Sequence, residues 1–451
     1  MKNKVSPKIM SGFMELLPAQ QLAFERMKKV VQDTYESYGF VPLDTPVLEL
    51  SEVLLAKAGG ETEKQIYRFT KGDTDICMRF DLTVPFSRFA AKNQNDLAFP
   101  FRRYCIGKVY RGERPQKGRF REFYQADIDI IGNEKLAVVY DAEIPSIMYR
   151  VLTKLGLKRF HIRMNNRKLL KGFYQSLGLE EQSMDILRLV DKLDKIGTEN
   201  VRLGLLDLGV SDENAQRILS FVEIGGTVDE VLNQLNGLGI DNESFYAGCM
   251  ELKTVSDALT AMGVPQSHYK IDLKITRGLD YYTGTVYETT VDDYPTWGTI
   301  CAGGRYDNLA ENYTDKKLPG IGMSIGLTRL FDLLNDAGLI RTQGQTPTEV
   351  LILPMGNSVS YPLTVAKVLR DANIKTEVYF ADVKFKNKMT YANKTGVPYV
   401  IILGEDEETS QVVALKNMQT GDQETVPFDT IAERVCACLN EQMELPVIMQ
   451  D

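Results

Sequence analysis

Two strand-rich stretches, roughly residues 76–132 and 270–301, are separated by helical sequence at about 167–263, and this split constrains the fold more than any other feature. Short β-type runs that follow one another without regular intervening helices pair antiparallel, whereas strand–helix alternation builds parallel sheets. The expectation is an α+β fold: an antiparallel sheet with flanking helices, interrupted by an all-helical insertion. A different pattern follows the polar, turn-forming stretch 342–347. Residues 349–354, 376–380 and 399–404 read as buried strands, with helical stretches near 358–372 and 385–395 between them, so a compact C-terminal α/β domain with a partly parallel sheet is expected. The boundaries drawn are 1–166 and 264–341 for the main domain, 167–263 for the insertion and 342–451 for the last domain, which suits 451 residues at about 150 per domain.

Local signals add detail. Leu22, Met27, Val30, Val31 and Tyr35 predict a helix over about 18–38 with one buried stripe, ending before Gly39. In residues 40–49, Pro42 and Pro46 forbid helix and favour an edge strand. A second helix is predicted over 323–337.

The chain has two histidines, His161 and His268, far apart in sequence. A histidine-rich metal site is thereby excluded, and a Ser-His-Asp hydrolase would have to use one of these two. Six cysteines without a C-x-x-C pair are expected to be reduced thiols, most of them in cores. The start of the chain lacks a secretory apolar core and no stretch approaches ~18 uninterrupted apolar residues, so a cytoplasmic protein without a membrane segment is expected. A formal net charge of −8 opposes nonspecific attraction to nucleic acid, so an RNA partner needs a local basic surface.

Five motifs carry the candidate chemistry. In residues 120–131, read as a strand, Arg121, Phe123, Gln125, Asp127 and Asp129 share one face. That face suits an amine and a ring, and equally an ordinary solvent-exposed strand surface. Arg79-Phe80-Asp81-Leu82-Thr83, also read as a strand, would put Asp81 and Thr83 on one face, either in the same pocket or on a solvated edge. The loop from Arg111 to Arg119 has four cations, two glycines and a proline; it fits a phosphate clamp or a charged hairpin. Residues 277–284, Arg-Gly-Leu-Asp-Tyr-Tyr-Thr-Gly, join an arginine to Tyr281 and Tyr282. Finally, Gly303-Gly304-Arg305-Tyr306-Asp307 and the glycines at 320, 322 and 326 precede Arg329. These small residues are expected to let a helix pack closely on a sheet, and no G-x-x-x-x-G-K-[ST] phosphate loop is present.

Together these motifs resemble the class II aminoacyl-tRNA synthetases and, within them, the histidyl-tRNA synthetase family. Residues 277–284 and 302–309 look like the two histidine signatures, 111–125 like motif 2, Pro46 like the motif 1 proline and 320–330 like motif 3; the resemblance covers the whole chain. It implies ATP-dependent activation of L-histidine to the adenylate and transfer to the 3′ end of tRNA(His), by a homodimer in contact through motif 1. It further implies that Asp81, Thr83 and Gln125 bind the α-amino group, that Asp129 and Tyr282 recognise the imidazole and that Tyr281 lines that slot. Arg111 and Arg277 would act on the carboxylate and α-phosphate as the catalytic cations. ATP would be held by Arg111, Glu113, Arg119, Phe123 (stacked on adenine) and Arg329 (at the γ-phosphate), with Mg²⁺ near Glu113. Arg114, Gln116, Lys117, Lys384, Lys386 and Lys388 would contact tRNA, with Lys394 nearby and the C-terminal domain reading the anticodon. Two positions depart from the family pattern: Thr328 stands where an acid often precedes the motif 3 arginine, and the shorter Asp81 where some members have Glu. The alternative is a noncatalytic histidine sensor such as the regulatory subunit of ATP phosphoribosyltransferase.

Overall fold

The computed structural model describes residues 4–56, 60–275, 281–342, 344–441 and 446–449. They divide into two compact units, one built on Lys28–Leu339 and the other on Ile340–Met449 with Glu15–Met27.

In the first unit the strands are β1 (Val41–Pro42), β2 (Leu48–Leu50), β3 (Arg68–Lys71), β4 (Thr74–Met78), β5 (Phe101–Tyr110), β6 (Glu122–Ile131), β7 (Phe160–Asn166), β8 (Tyr269–Ile271), β9 (Thr285–Val291), β10 (Cys301–Tyr306) and β11 (Gly320–Gly326). Among the described residues eight form one sheet, ordered β1-β5-β6-β11-β10-β9-β7-β8, and β2-β4-β3 form a small second sheet. The outer pairs β1–β5 and β7–β8 are parallel and the inner pairs antiparallel. The sheet is thus mainly antiparallel, as the two strand blocks predict.

Strands β5 and β6 pair without a break from Phe101↔Ile131 to Tyr110↔Glu122, which leaves the arginine-rich loop as their connection. β11 arrives from almost two hundred positions downstream and pairs with the other side of β6, Ile130 against Ile321 and Gln125 against Gly326. β6 is therefore central, and both of its faces are covered. Its apolar face buries Ala126, Ile128 and Ile130 completely. The Tyr35 hydroxyl, from the helix Pro18–Ser37, donates to the Ala126 carbonyl at 3.2 Å on that side. The opposite face carries Phe123, which is half-buried, and Gln125, Asp127 and Asp129, which are buried, contrary to a solvated strand surface.

Three local expectations need correction. Residues 79–83 are not a strand: β4 ends at Met78 and a helix, Thr83–Asn93, begins where the strand face was expected. Asp81 Oδ1 accepts from the Val84 amide at 3.2 Å, a capping bond across the first turn, and Pro85 is tolerated there because first-turn amides have no helical partner anyway. The helix expected over 323–337 starts at Leu327, since residues 323–326 complete β11. The glycines at 320 and 322 accordingly serve the sheet and not helix packing: a Cβ at Gly322 would lie 2.2 Å from Asp129 Oδ1, and one at Gly320 2.3 Å from the Tyr306 ring.

Between β7 and β8 the chain is helical, from Arg167–Ser176 through Glu243–Ala261. In the second unit β12 (Val350–Pro354), β13 (Thr376–Val378), β14 (Tyr399–Leu403), β15 (Val412–Asn417) and β16 (Gln423–Pro427) form a sheet ordered β13-β12-β14-β15-β16. The first three are parallel and the last two antiparallel additions. β13 is a half-buried edge instead of the buried strand expected at 376–380, because only β12 flanks it. Val350, Ile352, Val365, Leu369, Ile401 and Val413 are its core. Of the six cysteines five are buried and none is in a disulfide. No helix among the described residues is long and apolar enough to cross a membrane.

Candidate active site

A cleft of about 450 Å³ opens over the polar face of β6. Its lining includes Asp81, Thr83, Arg111, Glu113, Arg119, Phe123, Gln125, Asp129, Tyr281, Tyr282 and Arg329, side chains that the sequence scatters over some 250 positions. Arg277 lies outside the described residues. Arg114, Gln116 and Lys117 do not line the cleft; they are exposed on the connecting loop, where Lys117 pairs with Asp336. Lys384 and Lys386 are exposed in the second unit, whereas Lys388 is half-buried and donates to the Pro354 carbonyl at 2.5 Å.

One end of the cleft is acidic. Asp81, Asp127 and Asp129 are each at most 3 % exposed. The buried guanidinium of Arg103, on β5, lies 2.7 Å from Asp129 Oδ2 and donates to the Leu82 carbonyl at 2.7 Å. Tyr306, on β10, donates to Asp129 Oδ1 at 2.6 Å. Burying an ion costs several kcal/mol unless it is paired, so the carboxyls respond by holding protons more tightly. Burial pushes Asp81 up to about 6 and Asp127 up to about 7, and it raises Asp129 against the pull of Arg103 and Tyr306. Among the described residues four acceptor atoms here have no well-directed hydrogen bond: Asp81 Oδ2, Gln125 Oε1, Asp127 Oδ1 and Asp129 Oδ2, of which the last is answered by the ion pair with Arg103. Each such orphan costs about 1–3 kcal/mol, which a donor-rich ligand would recover. Tyr281 and Tyr282 stand edge-to-face, ring centroids 5.0 Å apart, and burial raises both phenols, so they remain neutral donors.

The acidic loop is held rigidly. Arg79, first residue of its signature, is buried; its Nε donates to the Lys108 carbonyl at 2.8 Å and its Nη1 to the Thr45 carbonyl at 2.6 Å and Asp44 at 2.5 Å. Arg79 is thus a strut behind Asp81. The buried Arg305 of the glycine signature is also a strut, pairing with Asp141 at 2.6 Å away from the cleft.

The other end is cationic. Arg111 donates from Nε to the Phe80 carbonyl at 3.0 Å, and its guanidinium lies over the Phe123 ring, 5.2 Å from the centroid. Glu113 lies 4.0 Å from Arg111 and 3.6 Å from Arg119. Arg329 projects from the first turn of the helix Leu327–Asp336 and bonds the Trp297 carbonyl. Burial lowers its pKa, and the Arg119 charge adds to this, as expected where like charges await an anion. Thr328, where the family pattern has an acid, is buried and accepts from the Tyr124 amide at 2.8 Å, so it extends the seam between β6 and the helix. Among the described residues no group of three His, Cys, Asp or Glu is placed to hold a metal ion by itself.

Arg103, Asp127, Ser324 and Tyr306 take part in this site although sequence reasoning assigned them no role. Asp127 was visible through its period-2 spacing with Gln125 and Asp129; Arg103 gave no signal, because its partners are 21 and 26 positions away.

Comparison with known proteins agrees with this arrangement. The family model described as histidyl-tRNA synthetase matches residues 12–330, and one described as an anticodon binding domain matches residues 349–437. A histidine–tRNA ligase of Clostridium tetani is 52% identical over 429 residues, 95% of this chain and 98% of that protein. The crystal structure of histidyl-tRNA synthetase from Nostoc sp. PCC 7120 superposes with a TM-score of 0.89 at 39% identity, covering 96% of this chain and 100% of the other. A Bacillus halodurans structure titled ATP phosphoribosyltransferase regulatory subunit/histidyl-tRNA synthetase has a TM-score of 0.74 at 20% identity over 89% of this chain and 99% of its own, and shares the fold. On these matches, nearly full-length in both directions, the chain belongs to the histidyl-tRNA synthetase family.

Proposed function

We infer that this chain is a histidine–tRNA ligase, which activates L-histidine with ATP and transfers it to the 3′ end of tRNA(His), releasing AMP and pyrophosphate. The observation that carries the reading is one cleft with opposite ends: unpartnered acceptors at Asp81 and Gln125, and cations at Arg111, Arg119 and Arg329. An amino acid fits across such a site with its ammonium in the acidic end and its carboxylate toward the arginines, where the α-phosphate of ATP would meet it.

We assign the α-ammonium to Asp81, Thr83 and Gln125 and the imidazole to Asp129 and Tyr282, with Tyr281 forming a wall. A slot that pairs a carboxylate acceptor with a phenol donor rejects side chains that leave those groups unpaired. Phe123 offers its ring to adenine, opposite the Arg111 guanidinium. Carboxylate attack on the α-phosphorus brings two anions together, and preorganised guanidinium groups in a dry cleft lower that barrier. Arg111 supplies one of them and Arg277, by its place in the signature, the other. Arg119 and Arg329 receive the pyrophosphate. Mg²⁺ would be held mainly by phosphate oxygens with Glu113 as its one carboxylate, a donor set that suits an ion keeping most of its other ligands from ATP and water, and it would neutralise phosphate charge.

The exposed loop residues Arg114, Gln116 and Lys117 are assigned to the tRNA acceptor end. The second unit, with Lys384 and Lys386 on its surface, is assigned to the anticodon stem, and Lys388, already bonded to Pro354, contributes less. The functional division 1–166, 167–263, 264–341 and 342–451 follows from this. A second copy of the chain is assigned to the β1–β2 edge, where Val41, Leu48 and Leu50 are about half exposed. The activity belongs in the cytoplasm, with translation. A noncatalytic sensor is disfavoured because the anticodon module is present and the full-length relative at 52% identity is a ligase.

Charging of unfractionated tRNA with each labelled amino acid tests the reading. Histidine alone should be attached, to a single isoacceptor group; failure of histidine to be attached would overturn it.

A further inference from the structure

Asp127 lies between Gln125 and Asp129 on the buried polar face of β6 and is 2 % exposed. Gln125 Nε2 donates to the Ser324 hydroxyl at 2.8 Å, and Ser324 stands opposite Asp127 in the pairing of β11 with β6. That bond uses the amide nitrogen and leaves Gln125 Oε1 as an acceptor, and among the described residues both Gln125 Oε1 and Asp127 Oδ1 are buried without a partner. Neither the Arg103 guanidinium, which pairs with Asp129 and Leu82, nor any other side chain bonds Asp127 Oδ1 among the described residues. A carboxylate in that position is a cost to the empty protein and a gain only when a cationic donor enters. Burial pushes it up to about 7, and Asp129 and Asp81 add to the push against Arg103, as expected of an acid that awaits a positive charge.

We propose that Asp127 is a further substrate-binding residue, a second carboxylate that accepts an N–H of the α-ammonium group of histidine beside Gln125. This rests on the function inferred above. The ammonium has three donors; Asp81 Oδ2, Gln125 Oε1 and Asp127 Oδ1 are unpartnered acceptors among the described residues, whereas Asp129 Oδ2 already faces the Arg103 guanidinium at 2.7 Å. Thr83 remains beside Asp81, and Asp129 remains with the ring.

The test is histidine-dependent ATP–pyrophosphate exchange in the wild type, Asp127→Asn and Asp127→Ala, with 3-(imidazol-4-yl)propionate as a competitive inhibitor. That compound has the ring and the carboxylate of histidine but no ammonium. Loss of a bond to a charged group should raise the histidine KM about tenfold or more in both variants. The KM for ATP and the inhibition constant of the ammonium-free compound should stay within about twofold of wild type. An unchanged histidine KM, or an inhibition constant that weakens in parallel with it, would overturn the assignment while leaving the ligase function intact. Absence of histidine-dependent exchange in the wild-type protein would overturn both.

Discussion

The Tyr306 hydroxyl donates to Asp129 Oδ1 at 2.6 Å, in the interior of the sheet and beneath the cleft. Tyrosine and aspartate come from neighbouring signatures that the chain separates by 177 positions. The bond keeps Asp129 an acceptor with fixed direction and pulls its pKa down against the rise caused by burial. Tyr306→Phe should therefore raise the histidine KM about tenfold to a hundredfold, the worth of a hydrogen bond to a charged group. The loss should deepen as pH falls, because Asp129 would then protonate at higher pH. Exchange kinetics between pH 6 and 8 measure this, and a KM that changes equally at all pH values would contradict it.

Much of the fold was legible in the sequence because its signals are local and periodic. The split strand blocks, the helical segment between them and the alternation after residue 347 each rest on side-chain spacing, and each appears in the sheet order. What was not legible depended on partners distant in sequence. The run Arg79 to Thr83 resembles a strand by composition, and only the Asp81–Val84 cap reveals the helix start. The glycines at 320 and 322 were visible, but their purpose needed Asp129 and Tyr306 to arrive across two strand pairings. The same holds for Arg103, whose role exists only when Leu82 and Asp129 meet it.

Asp127 has a cost that pH can reveal. Around it are Arg103 and Cys105 on β5, Asp129 on β6, Ser324 on β11, Cys301 on β10, Tyr282 and Asp81. Its pKa rises to about 7 on folding, so its contribution to stability is fully present below the unfolded value and lost as pH rises through 7. Asp127→Asn should accordingly raise the Tm of the ligand-free protein at pH 8, by at most about 4 kcal/mol in stability, with the gain shrinking toward pH 5. Thermal unfolding across that range is the measurement; a variant less stable than wild type at pH 8 would refute the sign.

Gly322 leaves room for the carboxylate of Asp129. A Cβ there meets Asp129 Oδ1 at 2.2 Å and the Ile128 carbonyl at 2.7 Å, and neither sheet neighbour can retreat easily. Gly322→Ala should cost about 1–3 kcal/mol of stability as overpacking. Histidine activation should fall at least about a hundredfold in kcat/KM as Asp129 is displaced. A variant with normal histidine kinetics would show that Asp129 does not set the pocket.

The exposed lysines of the second unit should act on tRNA and not on chemistry. Lys384→Glu with Lys386→Glu should lower the charging rate at limiting tRNA about tenfold and flatten its salt dependence. Pyrophosphate exchange in the same protein should stay within about twofold of wild type, and a parallel loss in both assays would contradict the division of labour.

On the function proposed above, one cleft binds histidine at its acidic end and ATP at its cationic end before any tRNA is present. The decisive measurement is ATP–pyrophosphate exchange with each of the twenty amino acids, in wild type and Arg111→Ala. The expected result is exchange with histidine alone, reduced at least about a thousandfold by the substitution. Exchange driven by another amino acid, or histidine-driven exchange that survives loss of Arg111, would contradict it.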